Sequence, residues 1–175
     1  MMFLHSDKAA ALTWVVLDVD GVLTDGSVIY SNSGDELKAF NIKDGFAIKM
    51  AQRAGLQFAM ITGRASQVLE RRAEELGIDN VMQGRSDKLT ALNELVEALG
   101  ITLEQVAYMG DDLPDLSAIE AAALGACPAD AASEVVAAAD WVATVNGGRG
   151  AVRELIEMLL SARGQWDTLV SDFRL

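Results

Sequence analysis

The chain has 175 residues, of which 51% are hydrophobic and 23% are charged, and its formal net charge at pH 7 is -12. This composition predicts one compact globular domain over residues 1–175 and excludes a disordered chain. The negative charge excludes non-specific binding to nucleic acid or to an anionic membrane, because both need a cationic surface.

Cysteine content and hydropathy also limit where the protein works. Cys127 is the single cysteine of the sequence, so a disulfide within the chain and a thiolate metal cluster are excluded. The sequence starts without a basic leader and apolar core, and no apolar run approaches the roughly 18 residues that cross a bilayer. We therefore expect a cytoplasmic protein.

Two acids follow the first predicted strand. Asp18 and Asp20 come directly after the apolar run Trp14-Val15-Val16-Leu17. Residues two apart in an extended chain face the same side, so both carboxylates should converge on one spot. A bound cation or a shared proton would relieve their repulsion. The pair indicates a metal-dependent phosphoryl-transfer site, although two solvated acids at a strand end would fit the pair alone.

A turn-rich segment comes next. The stretch Ser31-Asn32-Ser33-Gly34-Asp35 lies between two short apolar runs, which predicts a β-hairpin flap over about 26–40 beside the two aspartates.

Beyond the hairpin, short apolar runs alternate with helical patterns. This alternation is typical of a parallel sheet covered by helices, so the predicted fold class is α/β with a doubly wound, mostly parallel sheet. The predicted strands are 14–19, 56–61, 79–82, 105–109, 123–127 and 140–143. One predicted helix has its apolar stripe at Ala65, Val68, Leu69, Ala73 and Leu76. The chain ends in an apolar tail at about 165–175, which needs a surface to cover.

Three further elements suit the site of the two aspartates. They are Thr62-Gly63-Arg64 after the second predicted strand of the sheet, Lys88 near a helix start, and Gly110-Asp111-Asp112-Leu113-Pro114-Asp115. Ligands of doubly wound sheets bind beyond the carboxyl ends of the strands, where these elements should meet.

Together these residues supply what phosphate-ester hydrolysis needs: a nucleophile, an acid and positive charge. We predict that Asp18 attacks phosphorus to form an aspartyl-phosphate. Asp20 would protonate the leaving oxygen and then take a proton from water. Mg²⁺ is the expected cofactor, with Asp18 and Asp111 as ligands, because hard oxygen donors predominate.

The phosphate group needs contacts of its own. Thr62 would offer a hydroxyl and Gly63 a backbone amide to the phosphate oxygens, while Lys88 would add a charge that also restrains Asp18.

These motifs resemble those of the haloacid dehalogenase superfamily of phosphatases. Asp18-x-Asp20, Thr62, Lys88 and Gly110-Asp111-Asp112 match its four motifs in order. The resemblance implies that the backbone carbonyl of Asp20 is a further metal ligand and that Asp112 and Asp115 support the site.

Further stretches resemble one family of this superfamily, the 3-deoxy-D-manno-octulosonate 8-phosphate phosphatases. They are residues 21–26, 38–41, 44–45, 61–64 and 147–154. The resemblance implies magnesium-dependent hydrolysis of that ester to the free sugar acid and phosphate, in lipopolysaccharide precursor synthesis. It also implies a fold without a large cap domain, and a homotetramer whose hairpins and tails help to enclose neighbouring sites.

The same resemblance implies a substrate site. It would be lined by Asn41, Ile42, Lys43, Asp44, Gly45, Lys49, Arg64 and Arg72. Arginines suit a sugar-acid carboxylate, and Asn41 and Asp44 could contact hydroxyls. Lys49, Arg64 and Arg72 fit solvated helix-face charges equally well.

Two alternatives stay open. One is a phosphatase for another sugar-acid phosphate, such as a sialic-acid-type 9-phosphate. The other is a non-catalytic module that forms tetramers, although the intact acids Asp18, Asp20 and Asp111 and the cation of Lys88 argue against it.

Overall fold

The structure of the protein is a computed structural model that describes residues 6–174. Leu175, the last residue of the predicted tail, lies outside the described residues. Within them, no helix is both long enough and apolar enough to cross a membrane. The elements in chain order are α1 (Ser6–Ala11), β1 (Trp14–Leu17), β2 (Ile29–Tyr30), β3 (Glu36–Leu37), α2 (Ile42–Arg53), β4 (Gln57–Ile61), α3 (Gln67–Leu76), β5 (Asn80–Met82), α4 (Lys88–Leu99), β6 (Val106–Met109), α5 (Leu116–Ala121), β7 (Leu124–Cys127), α6 (Ser133–Ala138), β8 (Trp141–Val142), α7 (Ala151–Ala162) and α8 (Trp166–Ser171).

The main sheet has six strands in the order β5-β4-β1-β6-β7-β8, and every pairing is parallel. The predicted α/β class is confirmed, and each of the six predicted strands is present, slightly shorter than predicted. Since β1 lies between β4 and β6, the carboxyl ends of these three strands adjoin one another. This is the topological switch point at which ligands of such folds bind.

Helices cover both faces of the sheet because its central strands are apolar on both sides. Val15 and Leu17 of β1 pack against the layer of α2, α3 and α7, and Val16 packs against the layer of α4 and α5. This alternation follows from the two-residue period of a strand. The scaffold around the site is therefore buried on both faces.

The stripe predicted for α3 is only partly correct. Leu69, Ala73 and Leu76 are buried, but Ala65 and Val68 are exposed. The helix begins at Gln67, so Ala65 precedes it, and Val68 lies on its outward side.

The predicted hairpin is confirmed. Strands β2 and β3 pair antiparallel, with Tyr30 opposite Glu36, and they form a sheet separate from the main one. The turn between them is held by Asp35, whose carboxylate accepts hydrogen bonds from the hydroxyls of Ser31 and Ser33. The apolar side chains of this flap are exposed: Val28, Ile29, Tyr30 and Leu37.

The C-terminal tail folds partly onto its own chain. Trp166 and Leu169 pack against the core, whereas Phe173 stays 57% exposed. The ring of Phe173 lies edge-on to the ring of Phe46, with 5.5 Å between centroids.

Candidate active site

The first element of the site is the turn that follows β1. Asp18 is 7% exposed, and its backbone N–H donates to the carbonyl of Met109 at 2.9 Å. Gly21 has a φ of +91°, which an L side chain rarely adopts, and a Cβ there would collide with the carboxylate of Asp111. Glycine at this position therefore lets the loop after β1 approach the loop after β6.

Lys88 is the first residue of α4, and its ammonium group is buried among acceptors. Nζ donates to Oδ1 of Asp18 at 2.7 Å, to Oδ1 of Asp115 at 3.0 Å and to the carbonyl of Ile61 at 3.0 Å. All three ammonium donors are used. Burial lowers the pKa of Lys88, but the two carboxylates outweigh it and hold that pKa above its ordinary value, so the side chain stays charged.

Asp115 is also fully engaged. Oδ1 accepts from Lys88 and from the hydroxyl of Tyr108 at 2.7 Å, while Oδ2 accepts from the N–H groups of Asp111 at 3.2 Å and Asp112 at 3.4 Å. Burial, followed by the charge of Asp115, raises the pKa of the Tyr108 hydroxyl. This buried network supports the site, and both carboxylate oxygens of Asp115 already accept hydrogen bonds from protein donors.

Three acids crowd together here. Asp18, Asp111 and Asp115 each offer a carboxylate oxygen within 4.8 Å of the other two. Burial and the neighbouring Asp115 raise the pKa of Asp18 to about 6, against the opposing effect of Lys88. Burial and the charge of Asp18 raise the pKa of Asp111 to about 7. Three carboxyl groups therefore lie around a single lysine, and Lys88 alone cannot balance the negative charge of all three when they are ionised.

This donor set fits a hard divalent cation. Because the oxygens of Asp115 are already taken, Asp18 and Asp111 are the residues that would hold Mg²⁺, which prefers carboxylate oxygens. The backbone carbonyl of Asp20 remains a proposed third ligand.

Asp20 lines the same cleft as Asp18, but its carboxylate is not one of these three mutually close acids. Strand β1 ends at Leu17, and the chain turns at residues 19–24, so the two-residue alternation of an extended chain no longer applies. Asp20 instead accepts from Nζ of Lys38, a residue of the flap.

The flap is tied to the cleft by ion pairs. Nζ of Lys38 lies 3.4 Å from Oε1 of Glu36, and Nη2 of Arg64 lies 3.3 Å from the same oxygen. Nη2 of Arg64 also donates to the hydroxyl of Tyr30 at 3.2 Å. The flap therefore lies beside the motif that follows β1 and contacts it at Asp20.

The structure brings most of the predicted residues into one cleft of about 350 Å³. Thr62, which is 2% exposed, accepts the N–H of Arg64 at 3.3 Å through its hydroxyl. The residues that line the cleft are Asp18, Asp20, Gly26, Thr62, Gly63, Arg64, Ser86, Lys88, Asp111, Asp112, Pro114 and Asp115.

Seven of the predicted substrate residues do not line this cleft. They belong to the start of α2 and to the faces of α2 and α3: Asn41, Ile42, Lys43, Asp44, Gly45, Lys49 and Arg72. Asn41 and Ile42 line a separate cavity of about 290 Å³.

The side chains of Asn41 and Asp44 form hydrogen bonds with backbone groups of their own chain. Asn41 accepts from the N–H of Lys43 at 2.8 Å and donates to the carbonyl of Gly148 at 3.2 Å. Asp44 is 1% exposed and accepts from the N–H of Arg153, in the first turn of α7, at 2.8 Å. Both groups thus bind backbone groups of their own chain, and their contact with substrate hydroxyls stays a prediction.

Sequence reasoning missed Tyr108, Lys38, Glu36 and Ser86. Tyr108 lies within the predicted strand 105–109, and the strand pattern predicts no role for its hydroxyl. A hydroxyl in a buried strand requires a buried acceptor, and this requirement was the one signal in the sequence for a polar partner of Tyr108.

Comparisons with known proteins agree with this geometry. A family profile of haloacid dehalogenase-like hydrolases matches residues 78–156. The chain is 46% identical over 160 residues to the 3-deoxy-D-manno-octulosonate 8-phosphate phosphatase KdsC of Escherichia coli K12, covering 91% of this chain and 85% of that protein. It is 44% identical to the enzyme of the same name from Yersinia pestis, covering 89% and 83%.

Solved structures resemble the chain over nearly its full length. One is a 3-deoxy-D-manno-octulosonate 8-phosphate phosphatase of Moraxella catarrhalis, in complex with magnesium, phosphate and KDO. It has a TM-score of 0.93 and 43% identity, over 96% of this chain and 97% of that one. Another is the cobalt-bound enzyme of Haemophilus influenzae, with a TM-score of 0.88 and 42% identity over 92% and 94%. The chain therefore belongs to the haloacid dehalogenase superfamily and, within it, to the family of the 3-deoxy-D-manno-octulosonate 8-phosphate phosphatases.

Proposed function

We propose that this chain hydrolyses 3-deoxy-D-manno-octulosonate 8-phosphate to the free sugar acid and inorganic phosphate, with Mg²⁺ as cofactor, in lipopolysaccharide precursor synthesis. The observation that supports this proposal most strongly is the buried carboxylate of Asp18, which accepts a hydrogen bond from Lys88 at 2.7 Å and lies beside Asp111. It occurs in a chain that is 46% identical to the E. coli phosphatase. Cytoplasmic location is proposed with it.

The chemistry has two halves. In the first, an oxygen of Asp18 bonds to phosphorus while the bond from phosphorus to the sugar oxygen breaks, and Asp20 gives that oxygen a proton. In the second, a water oxygen bonds to phosphorus, its proton passes to Asp20, and the bond between Asp18 and phosphorus breaks to release phosphate.

The other residues of the cleft set up these steps. Lys88 fixes the orientation of Asp18 and favours its ionised form, which is the form that attacks. Thr62 and Gly63 would position the phosphate oxygens. When bound, Mg²⁺ would offset the charge that builds up as an anionic ester meets anionic Asp18 and Asp111.

A homotetramer forms part of the proposal. Exposed apolar side chains of the flap and Phe173 of the tail support it, because exposed apolar surface is where proteins commonly associate. The predicted substrate residues of α2 and α3 lie outside the cleft of their own chain. If they contact substrate, they would do so in the cleft of a neighbouring copy. Light scattering on the purified protein tests the mass of four chains against that of one.

Turnover by the purified chain tests the function. We expect Mg²⁺-dependent release of phosphate from the sugar-acid ester, and loss of at least about 10³-fold in kcat for Asp18→Asn, which keeps the shape of the side chain but removes the nucleophile. Faster turnover of a sialic-acid-type 9-phosphate would change the substrate assignment. A folded, Mg²⁺-loaded protein that hydrolyses no ester would favour the non-catalytic module.

A further inference from the structure

The turn that carries Asp20 is held by the hydroxyl of one buried threonine. Thr24 is 2% exposed, and its Oγ1 accepts the N–H of Gly21 at 3.3 Å and the N–H of Gly26 at 3.2 Å. The hydroxyl also donates to the carbonyl of Val19 at 3.4 Å. These three contacts use the whole hydrogen-bonding capacity of a hydroxyl. Since Val19 and Gly21 are the neighbours of Asp20 in the chain, one side chain contacts the backbone on both sides of that acid.

Other hydrogen bonds keep the turn folded independently of this hydroxyl. The N–H groups of residues 22–24 all donate to the carbonyl of Val19, at 2.9 to 3.3 Å. From the loop before α7, the N–H of Gly148 donates to the carbonyl of Val22 at 2.9 Å. Because these bonds would remain, loss of the Thr24 hydroxyl should loosen the turn rather than unfold it.

The nucleophile is held by different groups. Asp18 accepts from Nζ of Lys88 at 2.7 Å and donates its N–H to the carbonyl of Met109 at 2.9 Å. Neither contact involves the turn at residues 19–26. A change in the turn would therefore displace Asp20 while Asp18 keeps its orientation.

The role proposed for Asp20 depends on its position. An acid must lie within about 3 Å of the leaving oxygen to give it a proton, and a displacement of about 1 Å costs a large part of the rate. The Asp20 carboxylate contacts Lys38 of the flap, and the flap begins at Gly26, whose N–H the Thr24 hydroxyl accepts. This hydroxyl therefore holds both the backbone of Asp20 and the start of the segment that supplies its side-chain partner.

We infer that Thr24 is a positioning residue for Asp20, and that its hydroxyl keeps the Asp20 carboxylate within reach of the leaving oxygen and then of water. The inference rests on the proposed function, from which it takes Asp20 as the acid and base. Thr24 is not among the residues that line the cleft, so it acts through the backbone of the turn.

The test compares two esters whose leaving oxygens differ in their need for a proton, phenyl phosphate and p-nitrophenyl phosphate, on the Mg²⁺-loaded full chain. The p-nitrophenolate ion leaves without a proton, whereas the more basic phenolate needs one. For Thr24→Val we expect the ratio of kcat/KM for phenyl phosphate to kcat/KM for p-nitrophenyl phosphate to fall about 5- to 30-fold. A shared effect on Mg²⁺ or on the nucleophile slows both esters alike and cancels in this ratio.

Two variants control for the loss of the hydroxyl. Thr24→Ser keeps the hydroxyl and should retain the wild-type ratio within about threefold. Thr13→Val makes the same substitution directly before β1, at the end of the strand remote from Asp20, and should leave the ratio unchanged. The Thr13 hydroxyl accepts from Nε2 of Gln105 at 3.5 Å. Thermal melting checks that each variant folds, and Thr24→Ala takes the place of Thr24→Val if the latter is unfolded at the assay temperature.

A double variant shows whether Thr24 acts through Asp20. Once Asp20→Asn has removed the acid, no proton donor remains to be positioned. Adding Thr24→Val to Asp20→Asn should therefore change the ratio by less than about twofold. A threonine with only a structural role would change the ratio neither alone nor in this background.

Two outcomes overturn the inference. If removal of the Thr24 hydroxyl leaves the ratio unchanged, the hydroxyl does not position the acid. If the ratio falls equally in the Asp20→Asn background, Thr24 acts on another group. The proposed function is tested separately, by wild-type turnover of the sugar-acid ester. A wild-type protein that hydrolyses the aryl esters but not the sugar-acid ester overturns the substrate assignment, whereas the result for Thr24 is read from esters that contain no sugar.

Discussion

The cleft has two sets of ion pairs that differ in burial. On the buried side of Asp18, the side chains of Lys88 and Asp115 are 3% and 2% exposed, and every polar atom of their network has a protein partner. On the solvent side of the cleft, Arg64 is 42% exposed and forms an ion pair with Glu36 of the flap. A buried charge that loses its partner is strongly destabilising, whereas an exposed pair contributes little. The protein therefore holds Asp18 in a buried network and leaves the pair of Arg64 and Glu36 at the flap exposed, while Lys38 of the same flap is itself buried.

The largest effect should come from breaking the buried set. Lys88→Met leaves Asp18 and Asp115 without their cation, so we expect a loss of about 3–5 kcal/mol in the free energy of unfolding and at least a 100-fold loss in kcat. Urea denaturation of the metal-free protein and steady-state kinetics measure the two. A variant as stable as the wild-type protein would contradict the account of the buried network.

The response to pH and Mg²⁺ should come next. The pKa values of Asp18 and Asp111 are raised from 3.8 to about 6 and about 7 in the metal-free protein. A carboxyl with a raised folded pKa stabilises while it is protonated, so its contribution is complete below about pH 4 and is lost as the pH rises through 6 to 7. Since Mg²⁺ binds ionised carboxylates, the increase in Tm on adding Mg²⁺ should be larger at pH 7.5 than at pH 5.

Differential scanning fluorimetry at both pH values, with and without Mg²⁺, measures this. Asp111→Asn is the matched variant and should lose most of the Mg²⁺-dependent increase. An equal increase at both pH values would contradict the assignment of these two carboxylates as the metal ligands.

A smaller effect should follow from trimming the buried network at its edge. Tyr108→Phe removes one hydrogen bond to Asp115 but leaves Lys88 in place, so we expect a loss of about 1–3 kcal/mol in unfolding free energy. The kcat should fall about 3- to 10-fold with KM unchanged, since the phenol touches no substrate. A change in KM alone would mean that Tyr108 acts on the substrate side.

The smallest effect on stability should come from the flap. Tyr30→Phe removes the exposed contact with Arg64, so unfolding free energy should change by less than about 0.5 kcal/mol. The KM for the sugar-acid ester should rise about two- to threefold because Arg64 is held less firmly. A loss of stability as large as that of Tyr108→Phe would remove the contrast between the two sets of contacts.

The sequence predicted the parts of the fold and site that depend on local pattern. Apolar runs located the six strands, and the residues that follow β1, β4 and β6 meet because parallel strands end at one edge of the sheet. What depends on tertiary packing was not predictable. Asp20 turns to Lys38 because the strand ends early, and Asp44 is used by the N-terminus of α7, a contact between residues 109 positions apart.

The most direct test of the central claim is to trap the phosphorylated side chain. Acid quenching during turnover, borohydride reduction and peptide mass spectrometry convert an aspartyl-phosphate to homoserine at its position in the chain. We predict homoserine at position 18, dependent on Mg²⁺ and absent from Asp18→Asn. Reduction at another aspartate, or turnover at full rate without any reducible intermediate, would contradict the assignment of Asp18 as the nucleophile.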